Sequence, residues 1–245
     1  MTLQSSLQDV SRRLSDALSG VEPVDPVTHI YDPTQYARAP HCAFLSYAES
    51  GVRALLLGMN PGPWGMAQTG VPFGEVHAVR DFLGIDAEVG QPASVHPKRP
   101  VSGLQCERSE VSGRRLWGWA ASNFGTRQAF FQHYFVWNWC PLAFLEATGR
   151  NRTPDKLPIE TRQGIETACD QALVDVVEVL QPQSVVGVGA FACKRARRAL
   201  ADHDLPVHQM LHPSPASPIA NRGWQPQIEA QLEAIGLPAF GVLPH

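Results

Sequence analysis

The 245-residue sequence holds five cysteines, an odd number scattered at Cys42, Cys106, Cys140, Cys169 and Cys193. None forms a C-x-x-C pair, so neither a disulfide framework nor a zinc or iron–sulfur site is signalled, and a reducing, cytosolic setting fits best. Nothing approaches the roughly 18 consecutive apolar residues of a membrane span. The N-terminus has neither a basic start nor a long apolar run, so the protein is expected to be neither exported nor embedded. Net positive charge is also absent. The formal charge is −3, which taken alone argues mildly against a nucleic-acid partner, because phosphate binders gain affinity from Lys and Arg. The chain lacks G-x-x-x-x-G-K-[ST] and a G-x-G-x-x-G placed after a strand, which argues against a nucleoside triphosphate. It lacks the H-x-E with P-C-x-x-C of zinc deaminases, which sets base deamination aside. No internal repeat or low-complexity tract occurs.

Glycine and proline are abundant, at 20 and 21 residues. Five of those glycines and three of those prolines fall in one stretch, Gly58-Met59-Asn60-Pro61-Gly62-Pro63-Trp64-Gly65-Met66-Ala67-Gln68-Thr69-Gly70-Val71-Pro72-Phe73-Gly74-Glu75. It follows the apolar run Arg53-Ala54-Leu55-Leu56-Leu57 and holds too little side chain for ordinary core. It reads as a pocket built from main chain around a flat ligand, with Asn60 as the reactive or discriminating side chain.

Leu3, Leu7, Val10, Leu14 and Leu18 predict an amphipathic helix over 3–19. Residues 21–40, with Pro23, Pro26, Pro33 and Pro40, read as an extended connector. Strands are predicted at 53–58, 134–138, 184–188 and 206–211. Helices are predicted at 75–84, 113–131, 158–180, 190–202 and 221–235, and a long loop at 86–112. Alternation of this kind predicts one α/β domain, a mostly parallel four-stranded sheet flanked by helices.

Asn60, Asn138 and His212 each fall just beyond a predicted strand, so adjacent parallel strands would bring all three to one edge of the sheet. Singly, each has a plainer reading as a turn, a helix cap or a surface or core histidine. His203, His208 and His212 lack a carboxylate or cysteine at metal-ligand spacing, and no metal is expected. Ser214 beside His212 is flanked by prolines and reads as structured loop before activated nucleophile. The run Lys194, Arg195, Arg197 and Arg198 reads equally as a solvated helix face or a basic patch.

The stretch 58–76, together with His212-Pro213-Ser214-Pro215 and Asn221-Arg222-Gly223-Trp224, closely resembles the two signature motifs of single-strand-selective monofunctional uracil-DNA glycosylases. The likeness extends through His96-Pro97-Lys98-Arg99-Pro100, Ser109-Glu110-Val111-Ser112-Gly113, Asn138 with Cys140-Pro141-Leu142, and Gly149-Arg150-Asn151. It covers most of the chain from about Tyr31 to Trp224. It implies a glycosylase domain over 21–245 after an N-terminal helix at 1–20.

The resemblance implies hydrolysis of the N-glycosidic bond of uracil, and of oxidised uracils such as 5-hydroxymethyluracil, in single- or double-stranded DNA, without a cofactor. A base flipped out of DNA needs a pocket that stacks it and reads its edge. On the resemblance, Phe73 is the stacking aromatic, Asn138 reads the uracil edge, and the Met59 N–H meets O2. His212 donates to O2 as negative charge develops, and Asn60 holds the attacking water. Gly62 and Met66 lie near C5 of the base. Phe73 and Met66 also admit a core-packing role, and Gly62 a tight turn. Pro213, Ser214, Pro215, Ala216 and Ser217 are expected to form the wedge that enters the helix, with Asn221 and Arg222 near phosphate. Family members often carry Arg-Asn where this chain has Ala216-Ser217, which implies a smaller, less charged plug and does not favour strong duplex penetration. Trp64 stands where Phe is usual. Two other readings stay open: a non-catalytic sensor of damaged bases, and a hydrolase of free nucleosides. A monomer is expected, since no interface signature stands out.

Overall fold

The computed structural model describes residues 2–240, so the last five residues of the expected 21–245 domain lie outside the described residues. Helix α1 (Leu3–Leu18) starts where the Thr2 side chain accepts the Ser5 N–H, and its Leu7, Val10, Leu14 and Leu18 are buried. They join the main hydrophobic core. The chain continues through β1 (Val27–Tyr31), α2 (Pro33–Tyr36), α3 (Arg38–Leu45), β2 (Ala54–Gly58) and α4 (Met66–Thr69). Then follow α5 (Val111–Phe124), α6 (Arg127–Phe131), β3 (Tyr134–Asn138), β4 (Ala143–Glu146), β5 (Asn151–Arg152) and α7 (Ile159–Leu180). Strand β6 (Val185–Val188), α8 (Ala190–Ala199), β7 (Val207–Met210) and α9 (Trp224–Ala234) complete it.

The main sheet has the order β3-β2-β6-β7, and every pairing in it is parallel. β2, β3 and β6 are buried along their whole length, which explains their unbroken apolar runs: helices cover both faces. Parallel pairing sends all four carboxyl ends to one edge, the usual ligand edge of open α/β sheets. Register places Gly58 opposite Asn138. Two further bonds, Trp139 N–H to Gly58 O at 3.0 Å and Cys140 N–H to Met59 O at 2.9 Å, carry the pairing past the strand ends.

Several sequence expectations are corrected. The supposed connector 21–40 contains β1, α2 and the start of α3, and β1 pairs antiparallel with β4, which pairs with β5 in a second, three-stranded sheet. Its prolines sit where they are tolerated: Pro33 opens α2 behind the capping Asp32 side chain. The helix expected over 113–131 is two helices, broken at Gly125 with φ 71° and restarted by Thr126, whose side chain accepts the Ala129 N–H. The helix expected over 75–84 is present but shorter, over 76–82, and is wound as a π-helix at Ala78–Phe82. Helix α9 opens at Trp224, three residues late, because Gly223 has φ 113° and Ala220–Arg222 forms a 3-10 turn.

The segment 86–112 is irregular but tied down. The Tyr31 hydroxyl donates to Arg99 O at 2.7 Å and accepts the His96 N–H at 2.7 Å. Within the basic run 194–198, Arg195 is buried, not solvated. It pairs with Glu166 and Asp170 and lies over the Trp139 ring at 4.8 Å. Trp139 also donates Nε1–H to Asp170 at 2.8 Å, so this ion cluster buttresses the residue next to Asn138.

Candidate active site

A cavity of about 300 Å³ opens at the carboxyl edge of the main sheet. Asn60 from the end of β2, Asn138 from β3 and His212 from beyond β7 all line it, with Phe73 between them. Met59, Gly62, Ser214 and Pro215 complete the part anticipated from the sequence.

The floor depends on glycine. A Cβ on Gly58 would collide with Asn138 Oδ1 and come within 2.6 Å of the Phe73 ring. Phe73 has φ 53°, a left-handed conformation that costs a non-glycine residue about 1–3 kcal/mol and persists only where the surroundings enforce it. Here Thr69 Oγ1 donates to Gly74 O at 2.9 Å and Trp117 Nε1 donates to Pro72 O at 3.2 Å. Gly113 of α5 lies so close to Phe73 O that no Cβ would fit. The ring is thereby fixed as a flat, nearly buried face.

The two amides are oriented by partners outside the cavity. Asn60 Nδ2 donates to Leu142 O at 3.2 Å, so Oδ1 is left as its acceptor in the cavity wall. Asn138 Nδ2 donates to Met66 Sδ at 3.2 Å. Met66 is buried and meets the cavity through Asn138. The two polar atoms of the Asn138 amide then differ, with Oδ1 over Gly58 as acceptor and the second Nδ2 proton unspent.

His212 is held from both sides. Trp224 Nε1 donates to Leu211 O at 2.8 Å, and Leu211 N–H donates to Gln231 Oε1 at 2.8 Å. Gly189, with φ +91°, makes room, since a Cβ there would lie 3.1 Å from His212 Cβ. His212 Nδ1 accepts the Ser214 N–H at 3.0 Å. The neutral ring must then carry its proton on Nε2. Burial depresses the His212 pKa to about 4, so the ring is neutral at ordinary pH and presents one N–H. It lies beside Phe73, centroids 6.2 Å apart. Ser214 Oγ instead accepts the Ala216 N–H at 3.1 Å, so no serine–histidine nucleophile pair is built.

The loop after His212 is stitched internally. Arg115 donates to Pro213 O and to Asn221 Oδ1, both at 2.9 Å, and Asn221 Nδ2 donates to Pro215 O at 2.8 Å. Asn221 therefore shapes the loop, whereas Ala216 and Arg222 are exposed and Ser217 is half-buried. His203 and His208 lie outside the cavity. Among the described residues no group of three or more His, Cys, Asp and Glu is placed to hold a metal ion, and no helix is long and apolar enough to cross a membrane.

A sequence profile of the Uracil DNA glycosylase superfamily matches residues 45–235. The chain is 50% identical over 228 residues to the single-strand selective monofunctional uracil-DNA glycosylase of Rattus norvegicus, covering 92% of this chain and 82% of that protein. The counterparts of Mus musculus and Bos taurus are 49% and 48% identical, each over 92% of this chain, with 82% and 84% of their own lengths covered. The chain belongs to the single-strand-selective monofunctional uracil-DNA glycosylase family. A crystal structure of wild-type SMUG2 from Pedobacter heparinus superimposes with a TM-score of 0.71 over 96% of this chain and 97% of that one. At 18% identity that likeness concerns the fold alone.

The glycosylase cavity includes side chains for which no role was expected. Glu110 caps α5, its Oε2 accepting the Gly113 N–H at 3.0 Å, while its carboxyl also lines the cavity. Burial pushes its pKa up. Asn151 Nδ2 donates to Pro61 O at 2.9 Å and so fastens the loop that carries Asn60. Ser112 and Thr153 complete this wall. Glu110, Ser112 and Asn151 fall in segments that carry the family likeness, but nothing in their spacing separates a cavity residue from a helix cap or a turn.

Proposed function

We propose that this glycosylase hydrolyses the N-glycosidic bond of uracil in DNA, single- or double-stranded, acting as a monomer and leaving an abasic site. The observation that carries the reading is the fixed, neutral His212 donor facing the same cavity as the Asn138 amide, with the Phe73 face between them. Extrusion of the base costs about a few kcal/mol. Stacking on Phe73 offsets roughly 1–3 kcal/mol of that cost. Asn138 Oδ1 accepts from N3–H and its free Nδ2 proton donates to O4, a pattern that cytosine does not offer.

As the bond to C1′ breaks, its electron pair moves onto uracil and the charge gathers at O2. His212 Nε2–H donates there, stabilising charge that exists only as the bond opens. The sugar becomes oxocarbenium-like, and a water held by Asn60 Oδ1 adds to C1′. An amide is a poor base, so Asn60 orients the water, and the proton passes to the departing uracil or to solvent. Among the described residues no lysine lines the cavity, which supports a water mechanism over a Schiff base.

Gly62 supports a wider substrate range. A Cβ there would lie 3.4 Å from Glu110 Oε1, so its absence leaves space against a polar wall. Uracil oxidised at C5, such as 5-hydroxymethyluracil, is the proposed second substrate. The wedge at 213–217 and Arg222 are proposed to face DNA.

The test is incubation with a uracil-containing oligonucleotide followed by alkali. Strand cleavage at uracil is expected, and the single-turnover rate should fall about a hundredfold or more in Asn60→Ala and His212→Ala. An intact strand across a range of salt concentrations would leave only a damaged-base sensor. Equal activity on free deoxyuridine would favour a nucleoside hydrolase.

A further inference from the structure

The cavity wall at Pro63 and Glu110 leads to a second cluster of side chains. Trp64 follows Pro63 of the cavity wall and is half-buried. Two guanidinium groups lie over its ring, Arg108 Cζ at 4.6 Å and Arg99 Cζ at 5.0 Å from the centroid. Arg108 stands two residues before Glu110 in the cavity wall and is exposed. Arg99 runs over the turn at Gly149, where a Cβ would come within 3.0 Å of its Cζ. Exposed Lys98 and Arg150 flank it.

These cations are unneutralised. Arg12, Arg13, Arg80, Arg152, Arg162, Arg195 and Arg198 all pair with carboxylates, but among the described residues Lys98, Arg99, Arg108 and Arg150 pair with none. Even Glu107, exposed beside Arg108, makes no ion pair with it. Arg99 spends Nη1 on Lys98 O at 2.7 Å, and its Nε–H finds no acceptor. Among the described residues Arg108, at its exposed position, makes no side-chain hydrogen bond, and Arg99 keeps Nη2 unspent, so both retain N–H groups for a phosphate. Cation–π attraction contributes only about 0.5–1 kcal/mol at exposed sites, so an anion is the missing partner for two like charges held over one ring. The site adjoins cavity residues Pro63 and Glu110 in sequence and combines cations with an aromatic, as single-strand-binding surfaces do.

We propose that Trp64, Arg99 and Arg108 form a backbone-binding rim that holds phosphates of single-stranded DNA beside the extruded nucleotide. The proposal rests on the glycosylase reading and extends it to the path of the strand. Trp64 sets the guanidinium planes, and Lys98 and Arg150 extend the positive surface.

The test measures binding of a fluorescent, uracil-free single-stranded oligonucleotide by anisotropy between 50 and 200 mM salt. Each phosphate contact on a single strand contributes about 0.7 to the slope of log affinity against log salt. Arg99→Ala/Arg108→Ala should lower that slope by about 1.4, so that the variant loses about sevenfold less affinity than wild type across this range. Arg108→Ala alone, at an exposed position, should lower it by about 0.7 and decides the matter if the double variant misfolds. Arg12→Ala/Arg13→Ala makes the same charge change at carboxylate-paired residues of α1 that do not line the cavity and should leave the slope unchanged. An unchanged slope in the rim variants, or an equal fall in the α1 variant, overturns the proposal. Wild-type protein that binds the strand with the expected slope yet excises no uracil would instead overturn the glycosylase reading and leave the rim standing.

Discussion

His212 Nδ1 accepts the backbone N–H of Ser214 at 3.0 Å, and this one bond sets both the tautomer of the ring and the shape of the loop that follows it. A proton added at Nδ1 would put two donors face to face. Protonation therefore removes the bond as well as adding charge.

Burial places the His212 pKa at about 4. Excision should hold steady from neutral pH down to about 5 and then fall with an apparent pKa near 4. A pH–rate profile with its acidic limb at 6–7 would sink this account.

Stability should follow the same sign. His41, buried between Ser11 Oγ and Gly70 O at 2.8 Å each, also has its pKa lowered to about 4. Both histidines take up protons more readily in the unfolded chain, whose value is about 6.5. Stability contributed by the neutral rings is thus complete above 6.5 and is lost as pH falls toward 4, by at most about 3 kcal/mol each. Urea midpoints measured from pH 7 to pH 4 should fall, and a flat midpoint would contradict the burial argument.

Gly58→Ala should abolish base binding while the fold survives. Its Cβ would meet Asn138 Oδ1 and the Phe73 ring, both of which define the floor. The expected outcome is a fall of about a hundredfold or more in single-turnover excision, the scale of a misplaced reacting group. Retention of wild-type activity would show that the floor yields.

Met66→Leu should act weakly and through Asn138. The substitution keeps the volume but removes the sulfur that accepts Asn138 Nδ2–H at 3.2 Å. A hydrogen bond contributes about 0.5–1.5 kcal/mol net, and sulfur is a weak acceptor. A twofold to threefold rise in half-saturating substrate concentration is therefore expected (about 0.5 kcal/mol). An effect confined to 5-substituted uracils would place Met66 near C5 after all.

Arg195→Ala should cost about 3–5 kcal/mol, because it leaves Glu166 and Asp170 without their buried partner. Chemical denaturation reads the loss. Since Asp170 also accepts from Trp139, excision should fall as well, and an unaltered midpoint would show that the cluster is solvated.

The main sheet was legible because its strands are buried on both faces, so Ala54–Gly58, Tyr134–Asn138 and Val185–Val188 read as bare apolar runs between glycines and polar turns. The second sheet was not. Val27–Tyr31 is only partly buried, and it is a strand because Ala143–Glu146 lies beside it, more than a hundred residues away in sequence. Gly125 was visible as a residue, but only its left-handed φ of 71° and the Thr126 cap turn one expected helix into two.

The family, the parallel α/β core and the group Asn60, Asn138, Phe73 and His212 can be read from the chain alone, because strand ends and signature motifs are local patterns. Tertiary structure alone decided how those side chains are aimed. The Met66 sulfur behind Asn138, the Leu142 carbonyl on Asn60, the Glu110 carboxyl in the cavity wall and the two arginines over Trp64 all depend on contacts between distant segments. A hydrogen bond needs both partners within about 3 Å and in line, and only the folded chain brings them there.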